Sequence, residues 1–439
     1  MSPRRTGPLP RGGAALEALV RELTARERDT GSGARPIVAI GEQEPLERLA
    51  ALDALDARAV VLERRGAWHG EWAELDPAAL PDGPWTRTPT ESARVARWSA
   101  ARPIVLRGAV AARLAEFAGD VAAAHELHAS LADSGALRRF VRERLTGEDE
   151  RFAVLPRRAP PFDPERDLER VYVAAKPSAG VRGRKVQDLW LKSGWLSTFD
   201  GEDSLRVRVS FGREELDDES RDLLRHRLVA ELAERCFPAS ALVADDPVIV
   251  PLVERCTRTR VLFTQHIAYW NSPGGGALFH HDAFPTDDDA ALGPGQLGVA
   301  YVQLSGATAW IALSTDDLVR RIRAFGARLQ AGELPWVRAQ LFPKAKDLER
   351  FDALLADDAA LANELALPGC GALCGLVNRG PEFTRELALH GHGMLLEAGD
   401  AILLPNHGLA RTCMHSVFCA SDAPAFSLSL AIRSDEEPA

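Results

Sequence analysis

The stretch Val261–Phe284, VLFTQHIAYWNSPGGGALFHHDAF, decides how this chain is read. It starts as an apolar run with strand propensity, breaks at Pro273-Gly274-Gly275-Gly276, and closes on His280, His281 and Asp282. Proline lacks the ladder N–H and glycine takes backbone conformations closed to other residues, so this segment separates two strands. The glycines also let the backbone pass close to a metal or ligand. Side chains alternate faces along a strand, so His280 and Asp282 point one way and His281 the other. An imidazole and a carboxylate on one face can bind one metal ion.

Ferrous iron in oxygen-activating enzymes is held by two neutral imidazoles and one carboxylate on one face of an octahedron, leaving positions open for a cosubstrate and dioxygen. The second imidazole has to come from elsewhere in the chain. Past the Gly399-Asp400 turn, His407 sits in the turn-like PNHG, whereas His415 lies in a strand-forming run with Cys413, Met414, Val417 and Phe418. His415 is therefore the expected third ligand, delivered by a returning strand of a jelly roll. His390 and His392 are outsiders, and His266, beside Gln265, reads as a hydrogen-bonded core or supporting residue.

The last apolar run adds a separate argument. In Phe426–Arg433 one face is Phe426, Leu428, Leu430 and Ile432, and the other is Ser427, Ser429, Ala431 and Arg433. Small side chains leading to one guanidinium describe a wet cavity ending in a carboxylate clamp. The competing reading is an ordinary strand-end arginine paired with the following SDEE. Tyr269, Asn271, Tyr301 and Gln303 are pocket liners by strand parity. The acidic run Asp287-Asp288-Asp289 is either a solvated loop tip or an attractor for a cationic substrate.

Composition sets outer bounds. At 439 residues, 46% hydrophobic and 26% charged, the chain is long and apolar enough for one large or several smaller globular domains. A net charge of −10 gives no basic footprint for general nucleic-acid binding. No apolar run approaches the roughly 18 residues needed to cross a bilayer. Glu17, Arg21 and Glu22 interrupt the first amphipathic stretch, which therefore does not read as a secretory segment, and a cytoplasmic location is expected. Six cysteines are too few for a disulfide scaffold, and Cys370-x3-Cys374 lacks a second pair at finger spacing, so these read as buried or loop thiols.

In chain order, residues 1–13 form a tail and 14–155 an N-terminal α/β region. That region contains a βαβ-like unit (strands 36–41 and 58–63 around a helix 44–55), a Trp-rich connection or docking segment from Trp68 to Trp85, and the strand PIVLRG. A helical run over Ala109–Leu145 carries His125 and His128 on what reads as a solvated face. The Pro-rich LPRRAPPFDP (155–164) is the candidate boundary. Residues 165–439 alternate as strands, with Leu205, Val207 and Val209 against Arg206, Arg208 and Ser210 in one of them. Helices spaced over 315–368 interrupt them, and strands resume at LCGLV (373–377). The expected class is α+β.

These residues together resemble the JmjC branch of the iron(II)/2-oxoglutarate oxygenases in the cupin superfamily. The resemblance is carried by His280-x-Asp282, Tyr301-Val302-Gln303-Leu304-Ser305-Gly306, Ala307-Thr308-Ala309-Trp310, Gly399-Asp400 and His415-Ser416-Val417, with RPIVLRG (102–108) ahead of them. It implies a double-stranded β-helix (jelly-roll) core with a helical insertion. It also implies iron(II) on His280, Asp282 and His415, with 2-oxoglutarate and dioxygen as cosubstrates and hydroxylation of a protein, peptide or small molecule. Self-association is left open. Many relatives place a lysine for the far carboxylate of 2-oxoglutarate where this chain has Thr308. Either Arg433 replaces it, or the enzyme is a cupin-type dioxygenase without 2-oxoglutarate. A jelly roll that binds a partner without catalysis is the third reading.

Overall fold

The computed structural model describes residues 37–40, 60–61, 70–74, 91–146, 151–156, 167–176, 185–196, 204–212, 222–273, 275–283, 295–390, 392–409, 411–421 and 423–436. The protein is α+β, with two antiparallel sheets of nine and four strands, neither of them closed, and a small three-stranded sheet near the N-terminus. That small sheet contains β1 (Ile37–Ile40), β2 (Val60–Val61) and, between them, β3 (Gly70–Glu74). Both outer strands run antiparallel to β3, so a third strand lies inside the segment read as a connection. The expected tail, the helix 44–55, Gly274 and the acidic run 287–289 lie outside the described residues.

The large sheet is ordered β4 (Ile104–Leu106), β14 (Ala401–Pro405), β11 (Gly298–Ser305), β16 (Ala425–Ser434), β9 (Val261–Asn271), β8 (Leu205–Phe211), β7 (Val186–Trp195), β6 (Asp167–Ala175), β5 (Phe152–Val154). The small one is ordered β10 (Gly276–His280), β15 (Cys413–Cys419), β12 (Ala307–Ser314), β13 (Gly393–Glu397). Each strand of the small sheet is next in the chain to one of the large sheet: β9–β10, β11–β12, β13–β14, β15–β16. The two orders therefore correspond strand for strand from β14 over β13 to β9 over β10.

Period-two patterning sorts side chains into three cores. On β8, Leu205, Val207 and Val209 are buried in the first core with Leu428, Leu430 and Ile432 of β16, while Arg206 and Arg208 face the other way. Helices cover that first core: α1 (Glu91–Ser99), α2 (Ala118–Ser130), α3 (Ala136–Leu145), α4 (Leu223–Cys236) and α5 (Ile249–Thr257). Helix α4 starts where the Asp222 carboxylate accepts from the Arg225 N–H at 3.0 Å, and it buries Val229, Leu232 and Ala233. The second core, with Tyr301, Trp310, Met394, Ile402 and Val417, lies between the sheets. The third lies under the insertion.

That insertion runs from Thr315 to Leu389, beyond the expected end at 368: α6 (Thr315–Gln330), α7 (Pro335–Leu341), α8 (Ala345–Leu354), α9 (Asp358–Leu365), α10 (Cys374–Arg379) and α11 (Pro381–Leu389). The run LCGLV, expected as a strand, falls on α10. Its apolar residues Leu373, Leu376 and Val377 recur at three and four and are all buried, so five residues of strand composition serve as a helix face. The single helix expected over 109–145 is broken at the left-handed Gly135. His125 and His128 are not on a solvated face. His128 stacks on Trp270 (centroids 5.7 Å, 20°), and His125 Nε2 meets Ser305 Oγ at 2.7 Å.

On either side of residues 157–166, which lie outside the described residues, β5 pairs with β6, and Trp98, Val141 and Phe152 share one core with Val171. PIVLRG provides β4, the other edge of the same sheet. Its Arg107 and Gly108 N–H groups donate to the Asp400 carboxylate at 2.6 and 2.7 Å, which fixes the Gly399-Asp400 turn. Gly399 is left-handed (φ 97°), and a Cβ there would sit 2.8 Å from that of Ala111. Arg102 pairs through both nitrogens with Asp317 at the start of α6, at 2.8 and 3.0 Å.

Candidate metal centre

His280 is the last residue of β10, Asp282 follows it, and His415 lies directly opposite His280 on β15. One ligand atom from each lies within 4.8 Å of the other two. His280 Nε2 is 3.8 Å from Asp282 Oδ1, His415 Nε2 is 3.6 Å from Asp282 Oδ2, and the ring centroids are 4.2 Å apart. This is the only such group among the described residues.

The donor chemistry fits a metal ion. His280 Nδ1 is 2.7 Å from the Leu278 carbonyl and His415 Nδ1 is 3.3 Å from that of Cys413, so each ring is set to donate from Nδ1 and to present its Nε2 lone pair to Asp282. Burial, and secondarily His280, push His415 down to about 3, so it is a neutral ligand. Two imidazole Nε2 atoms and a carboxylate converging on one point could hold a cation between them. With bonds of about 2.1 Å, adjacent donors would sit about 3.0 Å apart in an octahedron and about 3.4 Å in a tetrahedron. Reaching either takes less than about 1 Å of side-chain movement.

Local structure explains the placement. A Cβ on Gly276 would lie 1.9 Å from the Val417 carbonyl oxygen, so this glycine allows β10 to approach β15, the strand that carries His415. The free edge of β10 is closed by the insertion. The Phe279 N–H donates to Asn378 Oδ1 at 2.8 Å and its carbonyl accepts from Cys370 Sγ at 3.4 Å. His281 points away from the other two, as parity predicts. Its Nε2 lies 3.2 Å from the Ala366 carbonyl and its Nδ1 accepts from the Ala283 N–H at 3.2 Å. Asn406 Nδ2 donates to the Asp282 carbonyl at 3.3 Å.

A cavity of about 520 Å³ opens onto the triad, within the range of small-molecule sites. Tyr269, Asn271 and Tyr301 line it, as strand parity predicts. Asn271 is 3% exposed and its Oδ1 has no hydrogen-bond partner among the described residues. Thr308 and Gln303 do not reach the cavity wall. The buried Thr308 hydroxyl donates to Gln303 Oε1 at 2.7 Å and accepts from Trp310 Nε1 at 2.9 Å, and Tyr301 Oη donates to the same Gln303 oxygen at 3.1 Å. Trp310 stacks on His415 (5.7 Å, 22°), so this network holds the ring against which the ligand rests.

Arg433 is also absent from the lining. Its Nε and Nη2 both donate to Gln265 Oε1, at 3.0 and 2.9 Å, and Nη1 donates to the Gly295 carbonyl at 2.8 Å. Gln265 is left-handed (φ 47°) where the β9–β16 pairing shifts register, and it lines the cavity itself. A β-bulge was not legible in the run VLFTQHIAYWN, which reads as one continuous strand. His407 is exposed and bonded to the Trp98 carbonyl, and His266 is buried, with burial pushing it down to about 4. Cys370 is buried and Cys374 partly so, both as free thiols. Missed in the sequence were Asn378, which carries no pattern, and the place of Arg206 and Arg208 on the cavity wall.

No family model matches the chain, and a search of curated proteins finds no match either.

Proposed function

We propose that the protein is a non-haem iron(II) oxygenase with a double-stranded β-helix core, related to the JmjC branch of the cupin superfamily and using 2-oxoglutarate and dioxygen. The strand orders β14-β11-β16-β9 and β13-β12-β15-β10 support the jelly-roll reading, because they interleave eight strands between two facing sheets. One observation carries the metal reading: two imidazoles locked by backbone carbonyls with Nε2 turned toward one carboxylate, at the floor of a cavity. His280, Asp282 and His415 would hold iron(II), which when bound supplies the redox chemistry that side chains lack.

The chain's own residues do the rest. Trp310 and the Thr308–Gln303–Tyr301 network hold the His415 ring in place, and the Cys413 carbonyl at Nδ1 sets its tautomer. The apolar second core reaches the cavity itself, where Val299, Trp310, Leu404 and Val417 give the triad a nonpolar wall. Asn271 Oδ1 offers an acceptor to a ligand N–H or O–H. Reconstitution of the purified protein with ferrous iron, 2-oxoglutarate and air, followed by assay for succinate, tests the reading. Substrate-stimulated succinate supports it; iron that binds without any perturbation by 2-oxoglutarate contradicts it.

That second outcome would favour a cupin-type metal enzyme without 2-oxoglutarate. Thr308, at the position of the family lysine, and Arg433, its expected replacement, are engaged with Gln303 and Gln265, and neither lines the cavity.

A further inference from the structure

We propose that this cavity takes an anionic substrate, one bearing a carboxylate, recognised by Arg206 and Arg208 of β8. This rests on the oxygenase reading for the word substrate but not for the binding site.

Arg206 and Arg208 are two residues apart on one face of β8, and among the described residues they are the only cationic side chains lining the cavity. Each guanidinium carries five N–H donors in a planar fork, so engagement with one partner leaves donors for a second. The opposite face of the strand is locked into the first core through Leu205, Val207 and Val209, so neither arginine can turn away without a register slip. Arg208 also lies over the Trp190 ring, 5.8 Å from its centroid, which limits its sweep.

Topology places the pair on the flank of the cavity beyond the small sheet. The small sheet ends at β10, which corresponds to β9 in the large sheet, and β8 lies one strand further out, about 4.8 Å beyond the covered portion. The metal ligands are on β10 and β15, under the cover. A molecule held by β8 therefore lies to one side of the triad, on the flank of the cavity that the small sheet does not cover. Asn271, at the end of β9 next to β8, is buried on the same wall with an Oδ1 that has no partner among the described residues, ready for a donor of that molecule. The described wall thus favours a negative partner, opposite to the cationic substrate suggested by the acidic run 287–289.

The test is calorimetric titration of the full chain, metal-free and again with Mn(II) and saturating 2-oxoglutarate. The titrants are glutarate against glutaramide, and acetyl-Asp-Glu-Asp-amide against acetyl-Asn-Gln-Asn-amide. At least one acid should bind about tenfold or more tightly than its amide, the scale of one charge-assisted contact. Preference for glutarate alone assigns a free small acid, and preference for the peptide alone an acidic side chain. Arg206→Gln with Arg208→Gln should remove the preference, while Arg206→Lys with Arg208→Lys should keep part of it, which separates lost charge from lost folding. Acid and amide binding alike, no acid binding, or a preference that survives the Gln pair would overturn the proposal. So would an acid preference that vanishes once 2-oxoglutarate is present, because that places the arginines in the cosubstrate's site. Failure to bind metal or 2-oxoglutarate would count against the oxygenase reading alone, since the metal-free titration reads the arginines directly.

Discussion

Arg433 shows how a residue can be found by its chemistry and still be misplaced. Alternation along β16 put it on the cavity face, and Ser429 and Ala431 of that face do line the cavity. One step further on, its fork closes on Gln265, turned inward by a bulge that periodicity does not reveal. Truncation would leave Gln265 Oε1 and the Gly295 carbonyl without these donors, so Arg433→Ala should cost about 2 to 3 kcal/mol in urea unfolding. A clamp would give little change in stability and a large loss of 2-oxoglutarate binding. Thr308→Val removes the hydroxyl between Trp310 and Gln303 and should cost about 1 to 2 kcal/mol. It should also weaken metal binding, read by competition with a chelator, because Trp310 loses its anchor beside His415. Unchanged metal affinity would show that the stacking alone fixes the ring.

At the scale of elements, the strands were largely legible and the helices around 370 were not. Period two is legible in β8 and β16, where one face of each meets the first core and the other the cavity. The short α10 shows the opposite case: packed between β10 and neighbouring helices, it reads as continuous apolar sequence, and no cap or periodic polar face marks it. Yet it carries Asn378, which satisfies the free edge of the strand that ends in His280. Asn378→Ala should therefore act on the site from a distance. It should leave the Phe279 N–H without its partner, cost about 1 to 2 kcal/mol, and raise amide exchange in β10 above that in β12. Equal protection in the two strands would mean that the insertion covers β10 without holding it.

For the molecule as a whole, the sequence pointed to sheets, insertion and triad, but it could not show that residues 91–154 give the large sheet both of its edge strands. Those contacts, from β4 to β14 and from β5 to β6, are set by pairing partners that no local pattern names. Buried histidines make the assembled structure acid-sensitive. Burial holds His266 down at about 4 and His392 at about 3, below the ordinary value near 6.5. The unfolded chain takes up protons that the folded chain refuses. Stability is therefore complete above about pH 6.5 and falls below it, with His266 contributing about 1.4 kcal/mol per pH unit until its own value is reached. Urea unfolding of metal-free protein at pH 7, 6 and 5 should show that decline; a flat series would contradict the buried neutral state. The central claim is that His280, Asp282 and His415 form one metal centre, and the most direct measurement is metal content by mass spectrometry after anaerobic ferrous loading and desalting. The account predicts about one iron per chain in the native protein and none in folded His280→Ala, Asp282→Ala or His415→Ala variants. Native protein without iron, or variants that retain it, would contradict the centre described.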